Sequence, residues 1–223
     1  MRAISIVVAA LAVTSAPASL AQEAATDRVF NVDSDASWLR VLAYPAGPLK
    51  RFGHHHVISH HTMSGTVVVP SDPLEATLTL ELAAAELQVD DAELRKLEGE
   101  NFEKEVSQKD IDGTKANMLG EKLLNAEQFP TIQVRSQSLA GSLPDVELTA
   151  IVSVAGGEST VTFPVNVELK QDSFIARGER EVLHGELGLS PFKAAGGALS
   201  VRDSLVFKYE ISGVLAASSD EAR

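Results

Sequence analysis

The chain has 223 residues, with 31 acids against 19 lysines and arginines and a formal net charge of −12. That balance argues against nucleic acid as a partner and against simple electrostatic docking on anionic lipid. Cysteine is absent, which excludes disulfides, thiolate metal sites, thiol catalysis and lipid anchoring through an N-terminal cysteine.

The chain opens like a targeting segment. Arg2 supplies a positive start, Ala3 to Val13 is apolar except for Ser5, and Ser19-Leu20-Ala21 fits a small-x-small cleavage site. Residues 1–21 are therefore expected to be a secretory signal peptide. The apolar run is too short to span a membrane as a mature helix, and no later stretch is long and apolar enough to do so. Residues 22–223 are expected to form one domain held together by an ordinary core.

Alternation of apolar and polar residues is the commonest pattern. Weak strands read at Arg28 to Val32, Trp38 to Tyr44 and Ser64 to Val69. A clean one follows at Leu74 to Leu82, then Thr131 to Ser136 and Val146 to Val154. Val161 to Leu169 alternates without exception, and Ser173 to Arg180 and Leu205 to Ile211 follow. Turn signals fall between them at Pro70 to Pro73, Gly141 to Pro144, Gly156-Gly157 and Gly196-Gly197. Many short strands with one apolar face each predict an antiparallel barrel or sandwich. A sandwich would fill that face with side chains, whereas a closed barrel of about eight strands leaves room for one small ligand.

From Asp90 to Ala126 the period turns helical. Asp90 or Asp91 is expected to cap a helix carrying Leu94, Leu97 and Val106. Asp110 or Asp112 is expected to cap a second carrying Ala116, Leu119 and Leu123. Glu86 to Glu105 holds eight acids and three bases, which reads as a solvated helix face. The tail, Ala216 to Arg223, is small and polar and is expected to fray.

Five of the six histidines fall within eight residues, in the run Phe52-Gly53-His54-His55-His56-Val57-Ile58-Ser59-His60-His61. In an extended chain His54, His56 and His60 share one face and His55 and His61 the other. Residues two apart on a strand are about 6.6 Å apart, close enough for two imidazoles to converge on one ion. His184 stands alone in Leu183-His184-Gly185 and is expected to be a hydrogen-bonded structural residue. No Gly-x-Ser-x-Gly, phosphate-cradling loop or His-Glu-x-x-His occurs, so no catalytic residue is assigned.

Four stretches, taken in order, resemble the YceI-like family of periplasmic polyisoprenoid-binding proteins. Phe30-Asn31-Val32-Asp33 with Ser37 resembles its first strand. Gly65 stands where the family has a strand glycine. Leu123 to Ile132, through Gln128-Phe129-Pro130, resembles its helix, aromatic-Pro and strand restart. Gly188-Leu189-Ser190-Pro191-Phe192 and Gly196 to Asp203 resemble its closing hairpin. Two features differ. The family's Gly-x-Leu-Thr segment has Val146-Glu147-Leu148-Thr149-Ala150 as its counterpart here, without the glycine. Gly53-His54-His55-His56 is similar to a Gly-His-x-His segment that only some members carry.

The resemblance implies an all-β fold: an extended antiparallel lipocalin-like β-barrel with a short helical excursion, at about residues 90–126. It also implies periplasmic localisation and a lumen that takes an isoprenoid or quinone-type lipid, as a binding protein rather than an enzyme. Expected ligand-binding residues are Trp38, Phe52, His54, His56, Leu80, Phe163 and Phe207. Three readings of the histidines stay open. One is a metal site of His54, His56 and His60, with His184 or a carboxylate as a fourth partner, suited to Zn, Cu or Ni and, with an open coordination position, to metal-dependent hydrolysis. Another is a polar gate at the barrel mouth, binding a quinone or phosphate head group while Phe52 and Trp38 pack on the tail. The third is a solvated tract that binds metal only adventitiously.

Overall fold

Each alternating run becomes a strand with one face turned inward. The computed structural model describes residues 27–217. The expected signal peptide, and residues 218–223 of the expected frayed tail, lie outside the described residues.

The first strands are β1 (Arg28–Val32), β2 (Trp38–Ala43), β3 (Pro45–Ala46), β4 (His56–His60), β5 (Ser64–Val69), β6 (Thr77–Ala83) and β7 (Gln88–Val89). Two helices follow, α1 (Ala92–Leu97) and α2 (Gln108–Leu119). Four long strands come next: β8 (Thr131–Ser142), β9 (Asp145–Val154), β10 (Gly157–Leu169) and β11 (Ser173–Leu183). The last are β12 (Lys193–Ala194), β13 (Leu199–Val201) and β14 (Ser204–Leu215). The fold is all-β, and eight antiparallel strands close a ring in the order β1-β5-β6-β8-β9-β10-β11-β14, with β14 returning to β1. A small sheet, β12-β13-β3, stands apart from it.

The remaining strands extend the ring. β14 pairs with β1 through Gly213–Leu215 and with β2 through Val206–Glu210, so β1 and β2 are two halves of one bent strand. At the bend the Asp33 carboxylate accepts from the Asp35 and Ala36 amides, and the Ser37 hydroxyl accepts from Ser212 N–H at 3.0 Å. These side chains replace the ladder bonds that the bend breaks. β5 continues β4 in the same way across residues 61–63, and β7 continues β6.

Gly65 explains itself in this frame. It lies opposite Leu80 of β6, and a Cβ there would run into the Thr79 carbonyl oxygen and press on the Leu80 side chain. Gly65→Ala is expected to cost about 1–3 kcal/mol by overpacking. The readout is a lower urea midpoint at constant m-value; an unchanged midpoint would mean the strands spread freely there. Phe129, of the Phe-Pro pair, lies over Gly156, whose φ of +77 makes the β9–β10 turn.

Strand β8 runs beyond the expected Ser136. Its register with β9 shifts between Ser136 and Ser138, a bulge that moves the inward set from Ile132 and Val134 to Leu139. The helical segment lies where it was expected. Asp91 caps α1, accepting from the Glu93 and Leu94 amides, but Ser107 rather than Asp110 or Asp112 caps α2. Val106 falls outside α1, and Leu97 is exposed.

The two helices do different jobs. Around α1, Leu94 and Phe102 cover the outer face of the barrel wall, packing with Leu42, Val57 and Val206. Helix α2 closes one end of the barrel, where Met118 joins Leu87, Val154 and Leu187. The acidic run is therefore not wholly solvated. Asp90 and Arg95 are buried, and the Glu98 side chain is 1% exposed between Arg40 and Lys208. Each of these charges is neutralised by a partner in contact, which is the condition for burying it.

Candidate ligand-binding site

The inward faces do not fill the barrel. They enclose a cavity of about 760 Å³, within the range of small-molecule sites. Alternation selects its lining: Phe163, Val165, Val167 and Leu169 from β10; Phe207, Tyr209 and Ile211 from β14; Leu78, Leu80 and Leu82 from β6. The lining reaches from Pro73, Leu143 and Leu169 at the hairpin end to His56, Met118 and Leu187 at the helix end. Along the barrel it is apolar. Tyr209 is the exception, and its hydroxyl is spent within the wall, donating to the Pro164 carbonyl at 2.5 Å. Burial pushes the Tyr209 phenol well above its ordinary pKa.

Polar groups gather at the helix end. His54, His56, His184, Lys109, Asp110 and Asn117 all contribute there. His56 Nδ1 lies 2.6 Å from Asp90 Oδ2. Asp90 also accepts from the Val57 amide at 2.9 Å and from Arg95 at 2.5 Å. Arg95 in turn donates to the carbonyls of His55 and Lys104. Burial opposes the Asp90 carboxylate, but the bonds from His56, Val57 and Arg95 outweigh it and hold the pKa below the usual carboxylate value. This network fixes the segment that enters β4. Burial lowers the pKa of His54 and of His55, favouring neutral rings.

Of the expected ligand residues, Leu80, Phe163, Phe207, His54, His56 and Phe52 line the cavity. Phe52 is 62% exposed and sits at the rim, in a short turn with the Arg51 guanidinium 4.7 Å from its ring. Trp38 does not line the cavity. Leu39, Val41 and Ala43 take the inward face of β2, so Trp38 faces outward with Arg40, whose guanidinium lies 4.4 Å from the indole.

The metal set of His54, His56 and His60 is not assembled. The His54 and His56 rings are neighbours, 6.1 Å between centroids. His60 is wholly buried at the β4–β5 bend, where Nδ1 accepts from the Thr62 amide and Nε2 donates to the Ala83 carbonyl. Both ring nitrogens serve the backbone. His55 faces outward against Tyr44 and Phe102. Among the described residues no group of three or more His, Asp or Glu side chains is placed to hold a metal ion.

The YceI-like domain model matches residues 30–212. The chain belongs to the YceI-like family. Among solved structures, BcnA of Burkholderia cenocepacia superposes on this YceI-like barrel with a TM-score of 0.57 at 13% identity, covering 81% of this chain and 98% of that chain. That likeness shows the fold. A Campylobacter jejuni YceI protein aligns with a TM-score of 0.48 at 9% identity, covering 70% of this chain and 82% of that chain. No curated protein matches the chain.

Two positions at the helix end were not read from the sequence as they stand in the structure. His184 is hydrogen-bonded as expected, Nδ1 to the Asp203 carbonyl at 2.6 Å, but its ring also lines the cavity. Asp90, read as a possible helix cap, instead anchors His56. The one signal for it is position: an acid pair opens the helical segment and only one member is needed for the cap.

Proposed function

We propose that this YceI-like protein is a carrier for a long apolar lipid of the isoprenoid or quinone type. The tail lies in the barrel and the head sits at the helix end beside His54 and His56. The observation that carries this reading is the cavity: about 760 Å³, apolar along its length and polar at one end. A ligand of matching polarity is an amphiphile with one small head. Each methylene it buries gains about 0.8 kcal/mol on leaving water, so a prenyl tail supplies the affinity and no reacting group is needed. The N-terminal pattern of residues 1–21 supports export to the periplasm. No helix among the described residues is long and apolar enough to cross a membrane.

Native mass spectrometry of the tag-free mature protein, purified from a bacterial host, tests this. The expected result is a stoichiometric adduct of several hundred daltons, released by organic solvent. A protein that stays bare after incubation with polyprenols and prenylquinones would overturn the reading. Phe163→Ala is expected to keep the fold and weaken retention about 10-fold, because Phe163 covers the lumen edge-on to Tyr209 at 6.0 Å; competition between wild type and variant for one lipid pool reads it.

A further inference from the structure

The acids of this chain are unevenly spread. Residues 36–71 and 187–202 contain no Asp or Glu, in a sequence with 31 of them. The two acid-free stretches meet in space. They supply β3, β12 and β13, where Pro45 lies opposite Val201 and Lys193 opposite Ser200. The turn Lys50–Phe52 is tied to this small sheet: Leu49 N–H donates to the Ala198 carbonyl at 2.9 Å, and Gly53 closes on Pro45 and Leu199 with no room for a Cβ. Together they form a lip on the cavity, which Pro45, Phe52, Phe192 and Leu199 line. Phe52 does so while 62% exposed, so the lumen reaches the surface there.

The outer surface of the lip sets cations beside apolar side chains. Lys50, Arg51 and Lys193 are exposed, and among the described residues none of them lies in an ion pair. Leu49 and Phe52 are exposed with them. A fourth cation, Arg202, is offset by Asp203 next to it in the chain. Helix α2, which borders the same end, is balanced, with Lys109 and Lys115 against Asp110 and Asp112. The cavity lining also includes an exposed apolar residue at the hairpin end, Leu143, but there Asp145 follows by two residues, and Asp72 and Glu75 flank Pro73.

Exposed apolar tips flanked by cations suit an anionic lipid surface. The tips enter the acyl boundary while the cations meet phosphates. The net charge of −12 opposes that approach in every orientation except lip first. Screening acts over about 8 Å at physiological ionic strength. Strand β10, which runs between the two ends of the barrel, is 13 residues long, about 40 Å of strand. Contact through the lip therefore keeps the hairpin-end acids several screening lengths from the membrane.

We propose that the lip, Leu49 to Phe52 with Lys193, docks this protein on an anionic phospholipid bilayer with the cavity mouth toward the membrane. The contact does not depend on what the lumen holds. Its use, passing an apolar tail between bilayer and barrel without crossing water, rests on the carrier reading.

Co-sedimentation of the tag-free mature protein with sucrose-loaded vesicles tests this. At low salt, vesicles of three parts phosphatidylcholine to one part phosphatidylglycerol are expected to bind about 10-fold more tightly than phosphatidylcholine alone. That binding should be lost at about 1 M salt, where screening acts over about 3 Å. Lys50→Gln with Arg51→Gln is expected to weaken it about 25-fold, about 5-fold for each charge. Leu49→Ser with Phe52→Ser is expected to weaken it about 10-fold, by removing the inserted tips. All four side chains are exposed, so the fold tolerates these changes. Lys170→Gln removes the same charge at the hairpin end and is expected to leave binding within about 2-fold. No binding to either vesicle would overturn the proposal and leave the basic lip to an acidic protein surface. A loss in Lys170→Gln as large as that in Lys50→Gln alone would also overturn it, because net charge rather than one face would then govern binding. Neither result touches the carrier reading, which the lipid adduct tests. A protein that stays bare of lipid yet binds these vesicles would sink the carrier and keep the docking face.

Discussion

Asp90→Ala is expected to lower stability by about 3–5 kcal/mol, the cost of breaking a buried ion pair by removing one partner. Three donors lose their acceptor at once: His56 Nδ1, the Val57 amide and the Arg95 guanidinium. Arg95 is buried and keeps only the two carbonyls of His55 and Lys104, so its charge is left without a counter-ion. Urea denaturation at neutral pH reads the loss. The pH dependence gives a second signature. The folded pKa of Asp90 lies below its unfolded value near ~3.9, because the bonds from its three donors overcome burial. Its contribution is therefore complete above the unfolded pKa and fades as pH falls through the lower folded one. The stability gap between wild type and variant should stay flat from neutral pH down to about pH 5 and shrink below about pH 4. A gap under about 1 kcal/mol, the scale of an exposed pair, would show that water reaches Arg95.

The barrel was legible because alternation is a local signal. β1 and β5 fall on their expected bounds, Arg28–Val32 and Ser64–Val69, and the long strands begin within a few residues of theirs. Where the local signal stops, the reading stops. The strand read at Thr131 to Ser136 ends where the β8 bulge changes parity, although the ladder continues to Ser142. The bends at residues 33–37 and 61–63 leave no mark in hydropathy, so nothing in the pattern joins β1 to β2 or β4 to β5. Trp38 was expected to pack on the ligand tail, whereas strand parity puts it outside with Arg40.

The histidine tract shows the same limit at the level of chemistry. Parity correctly set His54 and His56 on one face and His55 on the other, but His60 could be judged only by its backbone neighbours, Thr62 and Ala83. The acidic run looked solvated because composition counts charges without their partners. Arg40 and Lys208, which bury Glu98, are 58 and 110 residues away from it. A pairing of that range leaves no trace in a window of sequence.

Leu80→Asp is expected to reduce lipid retention at least 100-fold, about 2.7 kcal/mol, while costing the empty barrel less. Leu80 is 7% exposed on the inward face of β6, flanked in the ladder by Gly65 and Val134. The new carboxylate would project into the cavity, and in the empty protein a space of about 760 Å³ leaves it room for water. A bound tail removes that water. Desolvating an unpaired carboxylate costs several kcal/mol, and among the described residues the only lysine or arginine on the cavity lining, Lys109, sits at the rim of the helix end, away from Leu80. The penalty thus falls mainly on the loaded state, which separates this variant from a general packing defect. Leu80→Met, which conserves volume and apolarity, should retain the lipid near the wild-type level. The measurement is adduct occupancy by native mass spectrometry beside the melting temperature of delipidated protein. Full occupancy in Leu80→Asp would mean that the tail does not run past β6, and the ligand would then have to lie at the helix end alone, against Phe52, Phe192 and Leu199.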